Sequence, residues 1–210
     1  MDIHPLPVHN SCSKGSLIAG IVLAAGRSTR LGSPKQLLPY RGRPLLGWAV
    51  AAMAASSVDT TLVVLGHDAE RVRREVRLGG AQVVLNERYA EGLSTSLHAG
   101  LDALQSDERI EAAVVAVGDQ PLLGPEVVDT LIAAYRSGGA PLVAADYGDH
   151  RGTPLLLART LWPLARTIQG DQGARALLRA HPGEVATVPV PPDVAADVDT
   201  WDDYNRLPHT

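Results

Sequence analysis

Four groups of residues carry types and spacings suited to phosphate chemistry. The first is the loop Gly26-Arg27-Ser28-Thr29-Arg30-Leu31-Gly32-Ser33-Pro34-Lys35, where glycines let backbone amides approach a ligand and cations supply counter-charge for a phosphate chain. The second is Asp119 in Gly118-Asp119-Gln120-Pro121. A carboxylate beside a phosphate loop can hold Mg²⁺ while the ion also touches phosphate oxygens, and an Asx turn is its plain structural alternative. The third is Gly92 followed by Ser94, Thr95 and Ser96, where free amides and short hydroxyls gather at a helix start. Taken alone, that segment is better read as an ordinary N-cap at Ser94, and its place after a third strand following the phosphate loop favours nucleotide contact. The fourth is Asp197-Val198-Asp199-Thr200, in which Asp199-Thr200 can cap a final helix with Asp202 and Asp203 in its first turn.

The elements that must position these groups read as an alternation of buried strands and helices. Ile18 to Ala25 is an apolar run whose Ile21, Val22 and Leu23 favour a strand buried on both faces, ending directly in the basic loop. A helix is expected over 44–56, a strand over 60–65, a charged helix over 68–78 and a strand over 81–85. Ala112–Val117 is a further buried strand that delivers Asp119 at its end, and Pro125 opens a helix. Strands over 141–146 and 153–157 flank a polar turn, so one member of the sheet is expected to be antiparallel or to project as a flap. A short helix near 161–164, a helix over 174–180 and an edge strand over 184–190, marked by Pro189, complete the pattern. This order predicts an α/β fold, a Rossmann-like three-layer sandwich with a mostly parallel sheet and the ligand at the strand carboxyl ends.

Composition narrows the function classes. At 210 residues and 45% hydrophobic content, one domain over 17–210 with one substantial core is the better expectation. A net charge of −4 argues against general nucleic-acid binding, so the loop cations serve a local purpose. The single cysteine, Cys12, excludes an internal disulfide framework and fits a reducing, cytoplasmic setting. No stretch has the length of a membrane-spanning helix, and residues 1–16 lack the pattern of a secretory signal. They are expected to form a poorly ordered extension, with His4 and His9 as tail residues.

The basic loop is neither a Walker A loop nor the Gly-x-Gly-x-x-Gly fingerprint. Leu23-Ala24-Ala25-Gly26-Arg27-Ser28-Thr29-Arg30-Leu31-Gly32-Ser33-Pro34-Lys35 instead resembles the opening of the molybdopterin-type nucleotidyltransferases, Leu-Ala-Ala-Gly-x-Ser-x-Arg-(Met/Leu)-Gly-x-x-Lys. The resemblance extends over residues 18–207, and the branch it matches best is the molybdenum cofactor cytidylyltransferases. It implies transfer of CMP from CTP to the phosphate of molybdenum-bearing molybdopterin, with release of pyrophosphate and Mg²⁺ as cofactor. On this resemblance Leu23, Ala24, Ala25, Gly26, Arg30, Lys35, Gly92 and Ser96 bind the nucleotide, and Arg30, Lys35 and Asp119 carry catalysis. Gly-Asp-Gln-Pro and Asp-(Val/Ile)-Asp-Thr place Asp119 and Asp199 on one metal. An Arg-Gly-x-Pro element assigns Arg151 and Gly152 to the acceptor, although Thr153 stands where His is frequent. Gly170-Asp-Gln-Gly-Ala-Arg175 resembles a family segment of unsettled role, with acceptor binding and helix capping by Asp171 both open. Ala25 stands where the related guanylyltransferases have Gly, which favours CTP over GTP. Transient contact with an apo-molybdoenzyme is also implied, whereas nucleic acid and membrane are not expected partners. The alternatives are a nucleotidyltransferase using GTP or another phosphorylated acceptor, and a non-catalytic accessory protein that holds a nucleotide-bearing cofactor.

Overall fold

The computed structural model describes residues 15–181 and 183–208. The expected tail residues His4, His9 and Cys12 lie outside these. The central feature is a seven-stranded sheet built from β1 (Leu17–Ala24), β4 (Thr60–Leu65), β5 (Gln82–Leu85), β6 (Ile110–Val117), β7 (Leu142–Asp146), β8 (Arg151–Ala158) and β9 (Ala186–Pro189). A two-stranded ribbon, β2 (Pro39–Tyr40) with β3 (Arg43–Pro44), stands apart from it. The sheet order is β5-β4-β1-β6-β8-β7-β9. Only β8 runs against its neighbours, pairing antiparallel with both β6 and β7. The turn at 147–150 therefore folds a strand back into the sheet rather than projecting a flap. Pro189 lies on β9 at the sheet edge, where a missing amide costs no ladder bond.

β1 is covered on both faces, and its alternation divides the core. Ile18, Val22 and Ala24 face one cluster, filled by α1 (Leu45–Ala55), α2 (Ala69–Glu75) and α4 (Pro125–Gly138). Ala19, Ile21 and Leu23 face the other, filled by α3 (Leu93–Ala103), α5 (Trp162–Ala165) and α6 (Arg175–Ala180). Period-two burial of a continuous apolar strand produces this three-layer arrangement. Small residues let the layers close: a Cβ at Gly20 would collide with the Met53 side chain of α1, and one at Gly100 would stand 2.8 Å from Ile21. The last helix, α7 (Trp201–Arg206), joins Val198 and Leu207 to Leu31, Leu38, Tyr40 and Leu45 in a third, smaller cluster. That cluster ties the chain's end to the loop after β1.

Two expectations need correction. The charged helix over 68–78 is only seven residues long, because Val76 leaves the helical path and buries itself in the first cluster. Ser94 is not an N-cap. Gly92 occupies that position with φ +114°, and Ser94 is buried inside α3.

Candidate active site

The loop after β1 is held by its own side chains. Ser28 takes φ +52°, and its Oγ accepts from the Lys35 amide at 3.0 Å. Gln36, almost wholly buried, donates through Nε2 to the carbonyls of Ala24 at 2.9 Å and Gly26 at 3.0 Å. These bonds fold residues 26–35 back over the end of β1 and turn Lys35 into the cleft. Sequence reasoning passed over Gln36, the one buried residue of the single turn Lys35–Leu37, whose neighbours there are only partly covered.

The end of β6 supplies the second wall. Gly118 donates its amide to Leu23 O at 2.9 Å, which keeps β6 beside β1 until Asp119 emerges. Val198 in turn donates to Asp119 O at 3.2 Å, so the Asp197-Val198-Asp199 segment lies alongside. Asp119, Asp199, Lys35 and Arg30 thereby meet, although up to 169 positions separate them in the chain. The Lys35 ammonium donates to Asp119 and, at 2.7 Å, to Asp199 Oδ1. Arg30 reaches Asp199 Oδ2 at 3.4 Å from an exposed position. Burial lowers the lysine's proton affinity, but the Asp119 and Asp199 carboxylates outweigh it and hold the pKa above the ordinary value.

The carboxylate pair fits a hard divalent cation. Asp119 Oδ1 is buried without a hydrogen-bond partner among the described residues, which leaves one carboxylate lone-pair face free for a ligand. Among the described residues no group of three or more His, Cys, Asp or Glu side chains converges. Phosphate oxygens and water would therefore complete the coordination of an ion held by Asp119 and Asp199.

The cleft itself has a volume of about 460 Å³, and Leu23, Ala24, Ala25, Gly26 and Lys35 form its floor and one side. Gly92 and Ser96 do not line it. A Cβ at Gly92 would collide with Gly170, and the Ser96 hydroxyl, like that of Thr95, accepts from buried Asn86. Leu93, from the same turn, faces the cleft in their place. Arg151 and Gly152 are also outside the lining, whereas Thr153 is part of it. Arg175 and Arg179 on α6 line the same cleft, together with Asp197. Asp197 Oδ1 accepts from fully buried Gln120 at 2.7 Å. Burial and the nearby Asp119 charge raise the Asp197 pKa against the opposing pull of Arg175.

Residues 20–185 match the MobA-like NTP transferase domain. The chain belongs to that family. Its membership makes it a nucleotidyltransferase by family, and its relatives span several activities. It is 34% identical over 198 residues to the nicotine blue oxidoreductase of Paenarthrobacter nicotinovorans, covering 90% of this chain and 96% of that protein. It is 36% identical over 186 residues to the 2-C-methyl-D-erythritol 4-phosphate cytidylyltransferase of Cereibacter sphaeroides, covering 80% and 79%. The chain spans only 30% of the length of the bifunctional protein GlmU of Pelotomaculum thermopropionicum, to which it is 39% identical over 140 residues. Among solved structures, Rv0371c of Mycobacterium tuberculosis superposes with a TM-score of 0.81 at 35% identity, covering 92% of this chain and 97% of that one. Rv0371c has also been solved in complex with manganese. For this MobA-like domain, among the described residues, no helix is long and apolar enough to cross a membrane.

Proposed function

We propose that residues 17–210 act as a single nucleotidyltransferase domain that transfers CMP from CTP to the phosphate of molybdenum-bearing molybdopterin, releasing pyrophosphate. The observation that carries the reading is the meeting of Lys35 with Asp119 and Asp199 at the mouth of the Gly26–Lys35 loop. A transferase acting at an α-phosphorus needs alignment and charge neutralisation more than covalent help. The loop after Leu23-Ala24-Ala25-Gly26 would receive the nucleotide, with Arg30 and Lys35 stabilising charge on the triphosphate and on departing pyrophosphate. Gly92 and Ser96 would act from behind, by fixing the turn that presents Leu93. An oxygen of the acceptor phosphate attacks the α-phosphorus, and the bond to the β-phosphate breaks. That acceptor is already ionised near neutral pH, so no side chain need remove a proton.

The carboxylates of Asp119 and Asp199 would hold Mg²⁺, which when bound neutralises phosphate charge. The manganese complex of Rv0371c and the unpartnered Asp119 oxygen both support a divalent ion here. CTP as donor is supported by Ala25 and by the cytidylyltransferase relative, and molybdopterin by the motif resemblance. The single cysteine supports a cytoplasmic protein, and the resemblance supports transient contact with an apo-molybdoenzyme.

A second reading follows from the nicotine blue oxidoreductase relative, which this chain matches over nearly its full length. The cleft would then hold a nucleotide-bearing cofactor without cleaving it. Turnover measured over a matrix of CTP or GTP against molybdopterin and other phosphorylated acceptors separates the two. Pyrophosphate released with CTP, Mg²⁺ and molybdopterin is the expected result. Nucleotide bound intact under every combination would reject the transferase.

A further inference from the structure

The transferase reading requires a second phosphate, the acceptor's, to be held in the same cleft. The Arg-Gly-x-Pro element points by sequence to Arg151, yet Arg151 does not line the cleft. Arg175 does, and three residues seat it there. Its Nη2 donates to Thr153 Oγ1 at 3.1 Å and approaches Asp197 Oδ2 at 3.8 Å. Its guanidinium packs against Gly152, where a Cβ would stand 3.2 Å from Nε and 3.3 Å from Nη2. Arg179, one turn along α6, lines the same wall and makes no ion pair with a described residue. Asp197 cannot turn away freely, because the buried Gln120 amide holds its other oxygen at 2.7 Å.

We propose that Arg175, seated on Gly152 and held by Thr153 and Asp197, is the receptor for the acceptor's phosphomonoester. The proposal rests on the transferase reading and deepens it. A planar guanidinium presents two parallel donors to a phosphate, which makes the site selective for a terminal phosphate over a single negative charge. The long 3.8 Å contact with Asp197 is a loose ion pair. An arriving dianion competes for the same donors, so Asp197 serves as an internal occupant that the acceptor displaces. The role of Gly152 follows: it is the floor under the guanidinium, and Arg151 is merely its neighbour in sequence.

The test measures two bindings on the same protein: CTP alone, and inorganic phosphate or a simple phosphomonoester added to the CTP-loaded, Mg²⁺-containing protein. Arg175→Ala should weaken phosphate binding by about tenfold or more and leave CTP binding within about twofold. Gly152→Ala should weaken phosphate binding in the same direction but less, by displacing the guanidinium while keeping its charge. Asp197→Asn should tighten phosphate binding, since it removes the internal competitor. Unchanged phosphate affinity in Arg175→Ala overturns the proposal. So does an equal loss of CTP binding, which would place Arg175 on the donor's triphosphate instead, and so does weaker phosphate binding in Asp197→Asn. Failure of the unmutated protein to bind CTP would instead count against the transferase reading itself.

Discussion

The Lys35 ammonium fills the place between Asp119 and Asp199, and replacing it with an apolar side chain of similar length isolates what that charge does. Lys35 and Asp119 are only 16% and 14% exposed, whereas Asp199 is 53% exposed. Screening makes the Asp199 contact a minor contributor to stability. Removing one member of a buried pair leaves the other uncompensated, at a cost of about 3–5 kcal/mol. The partial exposure of this pair favours the lower end, about 3 kcal/mol. For a domain of this size each kcal/mol moves the Tm by about 2–4 °C, so Lys35→Met should melt about 6–12 °C below the unmutated protein in EDTA.

The decisive arm is the metal. A divalent cation bound by Asp119 and Asp199 compensates the same carboxylates, so saturating Mg²⁺ or Mn²⁺ should raise the Tm of Lys35→Met more than that of the unmutated protein. The unmutated protein gains less because the ion must first displace an ammonium. The pH dependence has a defined sign. The folded pKa of Lys35 lies above its unfolded value, so its contribution is complete below about pH 10 and disappears as pH rises through the folded value. The gap between the two proteins in EDTA should therefore be constant around neutrality and narrow only at the alkaline end. Equal Tm values in EDTA, or equal metal-dependent gains, would refute the idea that Lys35 and a metal share one seat.

Asp119→Asn keeps the size of the side chain but removes its charge, and pyrophosphate release should fall by about 10²-fold or more. Near-normal Mg²⁺-dependent release would remove Asp119 from the reaction. Donor choice should favour CTP in competition with equal GTP, and Ala25→Gly should relax that preference without inverting it, since one methyl-sized change is worth about 1–3 kcal/mol. Equal use of both nucleotides by the unmutated protein would reject that role for Ala25. Asp203 closes the capping box of α7, accepting from the Thr200 amide at 2.8 Å and the Asp199 amide at 3.2 Å. The Thr200 hydroxyl is the leading cause holding its pKa at about 2, so the cap is intact above the usual carboxylate range and is lost as pH falls through about 2. Asp203→Ala should abolish that acid-side loss and lower stability at neutral pH by about 1 kcal/mol, read from urea unfolding.

The alternation of apolar runs carried most of the architecture, because strands such as β1 and β6 are buried on both faces and contain almost nothing but Val, Ile, Leu, Ala and Gly. Helix ends were less legible. Val76 left α2 for the core and Gly92 displaced Ser94 as the cap, and both outcomes depend on tertiary neighbours, not on local propensity. The same holds within the site. The family resemblance pointed to Lys35, Asp119 and Asp199, and the fold brings their side chains together. It could not distinguish Arg151 from Arg175, and the fold places Arg175 on α6 in the cleft lining and leaves Arg151, at the start of β8, outside it. Glutamines were missed for a related reason. Gln36 and Gln120 look like unremarkable polar residues in a string, yet each is buried and donates to the groups that shape the site: Gln36 to the carbonyls of the loop, Gln120 to Asp197. A buried amide that bonds a functional segment costs free energy if any partner is lost. Gln36 therefore holds the loop against the end of β1, and Gln120 holds Asp197 beside the end of β6.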